Sequence, residues 1–440
     1  MSTPSDPSQK YYFLETYGCQ MNEYDSSLVS GLLEERGYRP TQDPSVADLL
    51  LVNTCSVREK AETTALDKLR SIAHHKRRRP GVRLGVLGCM AENRREAILE
   101  RIPEVDLLLG PDHYDRLGEV LDRPRNASTP ISALGPDRNQ TYEGLFPAAG
   151  ANVSAFVAIQ RGCDLKCAYC IVPSTRGPER SRPSDDILRE VRHLVAKGVR
   201  EVTLLGQTVN AWRSDLSFAD LLRRLGEVDG LRRLRFTSPH PRYFTESVCQ
   251  AMAEVPSVCP HVHMPVQSGS TAVLRAMRRQ YTREQYLGIV ERIRRHLGGA
   301  SITTDIIAGF PGETESDHQD TLSLMEAVRF DAAFMFAYSP RPGTPAAALP
   351  EDLDPSRKQE RLQEIIDLQM RHTFQRLDEQ VGTRTEILLE GPNRREPSQW
   401  FGKTPGFHKV VVHLDTPRVA GDILPVTIAA RRGQVLWGQA

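Results

Sequence analysis

Apolar residues fall along this chain in short runs separated by segments of helical period. In the opening third, runs at Tyr11–Tyr17, Asp48–Asn53, Val82–Leu87 and Val105–Leu109 alternate with patterned stretches near Glu23–Gly37, Val57–His75 and Glu92–Arg101. Such alternation predicts a parallel sheet with helices on its faces. Between Leu121 and Asn152 the pattern stops, and a stretch rich in Pro, Gly, Asn and Ser reads as a linker over 123–150. Residues 1–10 are polar and read as a disordered start.

A second alternating block follows. Its expected strands are Ser154–Gln160, Glu201–Leu205, Leu234–Thr237, His261–Val266, Ser301–Ala308 and Ala332–Ala337. Helical patterns at Ser184–Lys197, Ser217–Glu227, Thr245–Val255, Arg283–Leu297 and Glu315–Val328 separate them, and a long one runs from Pro355 to about Gln380. Six βα units suit a partial (β/α)6 barrel with active groups on the loops after the strands. The last sixty residues turn to β pattern at Thr385–Glu390, Lys409–Leu414, Ile423–Ala429 and Val435–Gly438, which fits a small antiparallel barrel of the OB kind. The expected fold class is therefore α/β. It comprises a parallel-sheet domain at 11–122, the barrel at 151–380 and a small β barrel at 381–440.

Composition adds little to this picture. The 440 residues are 39% hydrophobic and 26% charged, which excludes a disordered tail protein or a fibre. With 57 Lys and Arg against 56 Asp and Glu, no global field draws the chain onto nucleic acid, so any such binding rests on local patches. No apolar run approaches the length of a membrane span, and a soluble, cytoplasmic protein without a membrane partner is expected.

The eight cysteines change the picture. In a cytosolic chain they are more readily metal ligands or catalytic groups than a disulfide framework. Cys163, Cys167 and Cys170 form a C-x3-C-x2-C cluster just after the first strand of the second block. Soft thiolates select iron–sulfur clusters or zinc, and no fourth ligand for a structural zinc lies nearby. Three ligands leave one iron of a 4Fe–4S cube open. Cys19, Cys55 and Cys89 each follow the C-terminal end of an expected strand, and in an open parallel sheet those ends share one crevice. The spacing admits two readings for them, a second three-thiolate site or three buried small side chains. Cys249 and Cys259 read as structural.

The segments TYGCQMN (Thr16–Asn22), NTCSVREKAE (Asn53–Glu62) and GVLGCMAE (Gly85–Glu92) lie in the first block. The second carries the cysteine cluster, IVPSTRGPERSRP (Ile171–Pro183), LLGQTVNAW (Leu204–Trp212), SPHP (Ser238–Pro241), MPVQSGS (Met264–Ser270), DIIAGFPGET (Asp305–Thr314) and FAYSPRPGTPAA (Phe336–Ala347). Together these resemble the radical SAM methylthiotransferases, most closely the branch acting on tRNA, over nearly the whole chain. The resemblance implies that Cys163, Cys167 and Cys170 hold a catalytic 4Fe–4S cluster that binds S-adenosylmethionine and cleaves it to a 5′-deoxyadenosyl radical. It implies that Cys19, Cys55 and Cys89 hold an auxiliary 4Fe–4S cluster that carries or supplies sulfur, making two clusters in all. The implied reaction attaches a methylthio group to C2 of N6-isopentenyladenosine next to the anticodon, using two S-adenosylmethionine molecules per product. Its implied partners are the tRNA anticodon stem-loop carrying that base and a one-electron donor such as a flavodoxin or ferredoxin, with the enzyme a monomer. Threonylcarbamoyladenosine or a ribosomal protein are alternative substrates, and a non-catalytic iron–sulfur protein that binds RNA or senses redox state is the rival of another class.

Within that resemblance, Tyr169 is placed to pack on the cofactor's adenine or simply in its own loop. Gly206, Gln207, Gln267, Ser268 and Gly309 stand at strand ends facing the barrel mouth, where they are expected to bind the cofactor. The last block resembles a TRAM domain, with Gly402-Lys403-Thr404 where Gly-Arg-Thr is commoner. It carries eight Lys and Arg against five Asp and Glu over 381–440, a net charge of +3 suited to an RNA backbone. Arg394, Arg395, Trp400, Phe401 and Lys403 are its candidate RNA contacts, the aromatics either stacking on a splayed base or plugging the barrel. Two basic runs, His74–Arg79 and the group Arg223, Arg224, Arg232, Arg233 and Arg235, are further candidates or plain solvated faces.

Overall fold

The computed structural model describes residues 9–56, 59–79, 81–123, 130–148 and 152–440. Its first strand, β1 (Lys10–Tyr17), begins inside the expected disordered start, of which residues 1–8 lie outside the described residues. Then come α1 (Gln20–Glu35), β2 (Tyr38–Pro40), β3 (Leu49–Thr54), α2 (Glu59–Arg78), β4 (Arg83–Leu87), α3 (Cys89–Asn93), α4 (Arg95–Arg101), β5 (Leu107–Leu109), α5 (Leu117–Asp122) and β6 (Ile131–Ala133). The six strands pair in parallel in the order β2-β1-β3-β4-β5-β6. β3 is buried at every residue, as a central parallel strand covered on both faces must be. Leu50, Val52, Leu84 and Val86 pack with Ala65, Leu69 and Ile72 of α2 into one core.

The expected linker is only partly a linker. Ile131–Ala133 pairs with Leu107–Leu109 as an edge strand, and Tyr142 is buried with its hydroxyl donating to Pro111 O at 2.8 Å. Three residues of strand are too few for periodicity to reveal, so Pro- and Ser-rich flanks decided the expectation.

The second block holds β7 (Ser154–Ala158), β8 (Gln160–Arg161), α6 (Val172–Arg176), β9 (Arg180–Ser181), α7 (Ser184–Ala196), β10 (Glu201–Leu205), α8 (Phe218–Gly226), β11 (Arg233–Phe236) and α9 (Glu246–Glu254). It continues with β12 (His261–His263), α10 (Thr271–Ala276), α11 (Arg283–His296), β13 (Ser301–Ala308), α12 (Glu315–Val328), β14 (Ala332–Ala337) and α13 (Pro355–Asp378). Two three-stranded sheets, β7-β10-β11 and β12-β13-β14, are joined through a parallel bridge between Leu234 and Val258, giving the six strands of the expected open barrel. Two strands end early. Ser154–Gln160 breaks after Ala158 because Gln160 and Arg161 turn to pair antiparallel with Ser181 and Arg180. His261–Val266 stops at His263, close before Pro265, which has no N–H to give a ladder.

The C-terminal strands β15 (Arg384–Pro392), β16 (Gln399–Lys403), β17 (Lys409–His413), β18 (Ile423–Arg432) and β19 (Val435–Gln439) close into a barrel in the order β15-β16-β17-β19-β18. The β17–β19 pairing is parallel, so the barrel is not antiparallel throughout. Ile387, Leu389, Val410, Val412, Val426 and Leu436 fill it.

The chain divides into two compact units: residues up to 150 with 158–165 and 171–186, and residues 151–157, 166–170 and 187–440. Within the second, the turn between β16 and β17 lies across the N-terminal ends of the six-stranded barrel. Arg235 Nη1 and Nη2 donate to Pro405 O (2.8 Å) and Thr404 O (3.0 Å), and Arg233 Nη1 donates to Lys403 O. The Phe407 ring stacks on His261 at 5.0 Å. Phe407 holds this place at φ 71°, a conformation a bulky residue adopts only when its surroundings impose it.

Candidate metal centres

In the first unit, three strand ends bring three cysteines to one sheet edge. Cys19 caps the N-terminus of α1, Cys55 follows β3, and Cys89 opens α3. A buried amide network ties the loops together: Asn22 Oδ1 lies 3.2 Å from Cys19 Sγ, Asn22 Nδ2 donates to Asn53 Oδ1 (3.1 Å), and Asn53 Nδ2 returns to Asn22 O (3.0 Å). Ser56 Oγ donates to Cys89 O at 3.1 Å. Gly88, at φ 86°, lets the third loop in, since an added Cβ would stand 2.3 Å from Asn53 Oδ1. Cys55 and Cys89 are buried and Cys19 is half-buried. A hydrogen bond with Cys55, a helix N-terminus and the charge of Arg176 hold the Cys19 thiol below its usual range, whereas burial pushes Cys89 up against the pull of Arg176. Among the described residues no three acidic, His or Cys side chains close around a single ion. A cubane spreads its thiolates over several irons and needs no such closure. The donor set is three cysteine sulfurs, and Arg176, whose charge acts on Cys19 and Cys89, keeps a buried Nη1 without a hydrogen-bond partner, so the residues present fit an anionic iron–sulfur cluster.

The same unit holds the start of the second cysteine segment. Gly162 sits at φ 72° with Pro178 O only 1.9 Å from where a Cβ would stand, and Cys163 N–H donates to Gly177 O (3.1 Å). Within this unit three buried ion pairs tie residues 158–165 and 171–186 to the N-terminal sheet: Arg161 and Arg176 with Asp25, and Arg180 with Asp112.

In the second unit, Cys167 is buried and takes Arg279 Nη1 at 3.5 Å, while Arg279 Nε and Nη2 reach Tyr281 Oη (3.0 Å) and Pro265 O (3.1 Å). Cys170 is half-buried and donates its N–H to Cys167 O. Tyr169 packs on a cluster of Ala168, Val273, Met277, Phe310 and Tyr338, so the loop-packing role expected as one of its two is present. The strand-end positions Ser238, Gln267 and Gly309 all have positive φ, at 60°, 73° and 68°. Gly206 is buried at the end of β10, and Gln207 Oε1 is buried without a partner, as are His240 Nε2 and Tyr338 Oη. The Ser268 hydroxyl is engaged by Thr321 Oγ1 of α12 and by the Ser270 N–H of its own loop. Burial, then Arg279 and Arg242, push His240 far down, so it is a neutral imidazole. Orphaned acceptors and donors beside cysteines at a barrel mouth fit a polar cofactor there.

On the C-terminal barrel, Arg394 and Arg395 are exposed, and Trp400 packs against the barrel core. Phe401 lies under Lys409 Nζ (4.6 Å). Across the register, Phe401, Val411 and Trp437 are neighbours, and Trp437 carries the Arg432 guanidinium at 4.3 Å. The sequence pattern does not single out Trp437 as a candidate contact. Lys403 pairs with Glu390 at 2.7 Å. The two basic runs prove largely structural: Arg233 and Arg235 are buried, Arg223 pairs with Asp220 and Glu254, and Lys76 and Arg77 pair with Asp106 and Glu104.

A (β/α)6 barrel with a three-cysteine loop after its first strand defines a radical SAM enzyme, and residues 157–325 match the Radical SAM superfamily. Residues 11–110 match the Uncharacterized protein family UPF0004. The chain is 44% identical to the tRNA-2-methylthio-N(6)-dimethylallyladenosine synthase of Corynebacterium urealyticum, over 98% of this chain and 82% of that one. It is likewise 44% identical to that of Geotalea uraniireducens, over 98% and 99%. The chain belongs to the tRNA-2-methylthio-N(6)-dimethylallyladenosine synthase family. The radical S-adenosylmethionine methyltransferase TsrM from Kitasatospora setae shares the fold, with a TM-score of 0.60 at 16% identity over 77% of this chain and 75% of that one. No described helix is long and apolar enough to cross a membrane.

Proposed function

We propose that this protein attaches a methylthio group to C2 of N6-isopentenyladenosine next to the anticodon of tRNA, using two 4Fe–4S clusters and S-adenosylmethionine. The observation that carries this reading is the pair of three-cysteine sites on a chain of this family, each without a fourth cysteine in its segment. Cys163, Cys167 and Cys170 hold the cluster that binds S-adenosylmethionine, and Cys19, Cys55 and Cys89 hold the auxiliary one. When bound, the first supplies the electron that cleaves the cofactor and the second supplies sulfur. The protein's own task is to orient the reactants and exclude water. Gln207, His240 and Tyr338 offer the mouth unpaired polar atoms, and Gly206, Gln267 and Gly309 offer close backbone. Tyr169 and Ser268 support the loops that hold these positions.

The exposed rings of Phe334 and Phe336 share one face of β14, where Phe334 pairs with Asp305 across the sheet and meets the His263 ring at 5.8 Å. That apolar wall suits an isopentenyl tail better than a charged threonylcarbamoyl one. Phe401, Lys409, Arg432 and Trp437, with exposed Arg394 and Arg395, form the surface that meets the anticodon stem-loop, by stacking and phosphate contact. Trp400 packs on that barrel's core, and Lys403 pairs with Glu390 on its surface. A small one-electron donor protein, a monomeric state and a cytoplasmic setting complete the reading.

The test is iron and 5′-deoxyadenosine. Anaerobic reconstitution should give roughly eight iron per chain, and about four after Cys163→Ala/Cys167→Ala/Cys170→Ala. Reductant and S-adenosylmethionine should then yield 5′-deoxyadenosine only with the three cysteines intact. Full iron loading without that product in wild type overturns the enzyme reading, and about four iron in wild type overturns the auxiliary cluster.

A further inference from the structure

A buried carboxylate on α1 carries the argument. Asp25 is fully buried and accepts from Arg161 Nη2 at 2.7 Å, Arg176 Nη2 at 2.9 Å and the Tyr114 hydroxyl at 3.3 Å. Two guanidiniums against one carboxylate leave one positive charge in excess where water is excluded. The Arg161 guanidinium has the Tyr142 ring 4.5 Å away to share its charge. Arg176 faces the cysteines instead. Its charge acts on both Cys89 and Cys19, while Nη1 is buried with no hydrogen-bond partner among the described residues. α6, which carries Arg176, packs on α3, which carries Cys89. An uncompensated buried cation with an idle donor is costly, so an anion belongs beside it. A 4Fe–4S core held by three thiolates is net negative and becomes more so on reduction.

We propose that Arg176 is the electrostatic partner of the auxiliary iron–sulfur centre, a positioning residue whose charge raises that centre's reduction potential. The inference rests on the reading of Cys19, Cys55 and Cys89 as its ligands. Asp25 fixes the guanidinium in place and moderates its charge, so the potential is set by the pair. In sequence Arg176 stands six residues after Cys170, yet its side chain serves the other cysteine set.

The experiment uses the full chain with Cys163→Ala/Cys167→Ala/Cys170→Ala, which leaves only the auxiliary site, reconstituted anaerobically and titrated potentiometrically with EPR detection. The parent should hold about four iron. Added Arg176→Gln should keep the iron but lower the ratio of reduced to oxidised cluster at the parent's midpoint at least tenfold, about 59 mV for one electron. Arg176→Lys, which keeps the charge, should stay within threefold. Asp25→Asn, which removes the opposing charge, should raise the ratio, and it carries the test should Arg176→Gln not fold. No iron in the parent overturns the ligand reading itself. Iron retained with no shift in Arg176→Gln, an unshifted Asp25→Asn, or a tenfold loss in Arg176→Lys overturns the role of Arg176 alone.

Discussion

Arg235→Met tests whether the β16–β17 turn closes the N-terminal end of the barrel. The Arg235 side chain is 2% exposed and pairs through Nε with Glu201 Oε2 at 2.8 Å, itself 3% exposed. Its other two nitrogens hold Pro405 O and Thr404 O, and its guanidinium faces the Phe407 ring at 4.9 Å. Methionine fills much of the volume but strands the Glu201 carboxylate without its cation, a loss of about 3–5 kcal/mol for a broken buried pair. The two carbonyls lose donors worth roughly 1–3 kcal/mol each when left bare, but all these contacts share one network and do not add. The expected cost therefore stays at about 3–5 kcal/mol, a drop in melting temperature of roughly 6–20 °C for a unit of this size. Hydrogen exchange at Lys403–His408 should quicken along with it. Arg235→Met/Glu201→Gln, which leaves no buried charge, should recover at least half of the loss. A single variant costing under about 1 kcal/mol, with exchange at the turn unchanged, would refute the buried-pair reasoning.

His261 gives an acid-sensitivity. Burial first, then Arg235 and His263, depress it to about 3, below the unfolded value of about 6.5. Its contribution is therefore whole above pH 6.5 and declines as pH falls toward 3, reaching a loss of about 2 kcal/mol at pH 5. Metal-free His261→Asn should lose correspondingly less stability between pH 7 and pH 5 in denaturant titrations, and an unchanged slope refutes the assignment. On the C-terminal barrel, Trp437→Ala should weaken tRNA binding by about 1–3 kcal/mol, which a filter-binding or fluorescence Kd measures. Lys409→Ala/Arg432→Ala should reduce the salt slope of that affinity by about 2, whereas Arg235→Met should leave the slope alone.

Strand–helix alternation made the two α/β blocks legible because most of their strands are followed by a helix that shows a period, and the cysteines after β1, β3 and β4 could be placed by counting past strand ends. Two short strands gave no such handle: β6 hid among prolines, and β16, Gln-Trp-Phe-Gly-Lys, has no alternation to read. The charged residues were the harder part, because a sequence shows a charge but not its partner. Arg233 and Arg235 looked like a basic patch for RNA, yet each sits on a strand whose buried neighbours, Leu234 and Phe236, already said that the position was interior. The same reasoning runs through α1, where Asp25 stands on the apolar stripe of Met21, Tyr24 and Leu28, four residues from Met21 and three from Leu28. A carboxylate on a core-facing stripe demands a buried cation, and Arg161 and Arg176 supply two. Arg176 then has to answer two partners with one fork. Its Nη2 is committed to Asp25, and its Nη1 stays buried without a hydrogen-bond partner, the donor that an anionic centre at the cysteines would take.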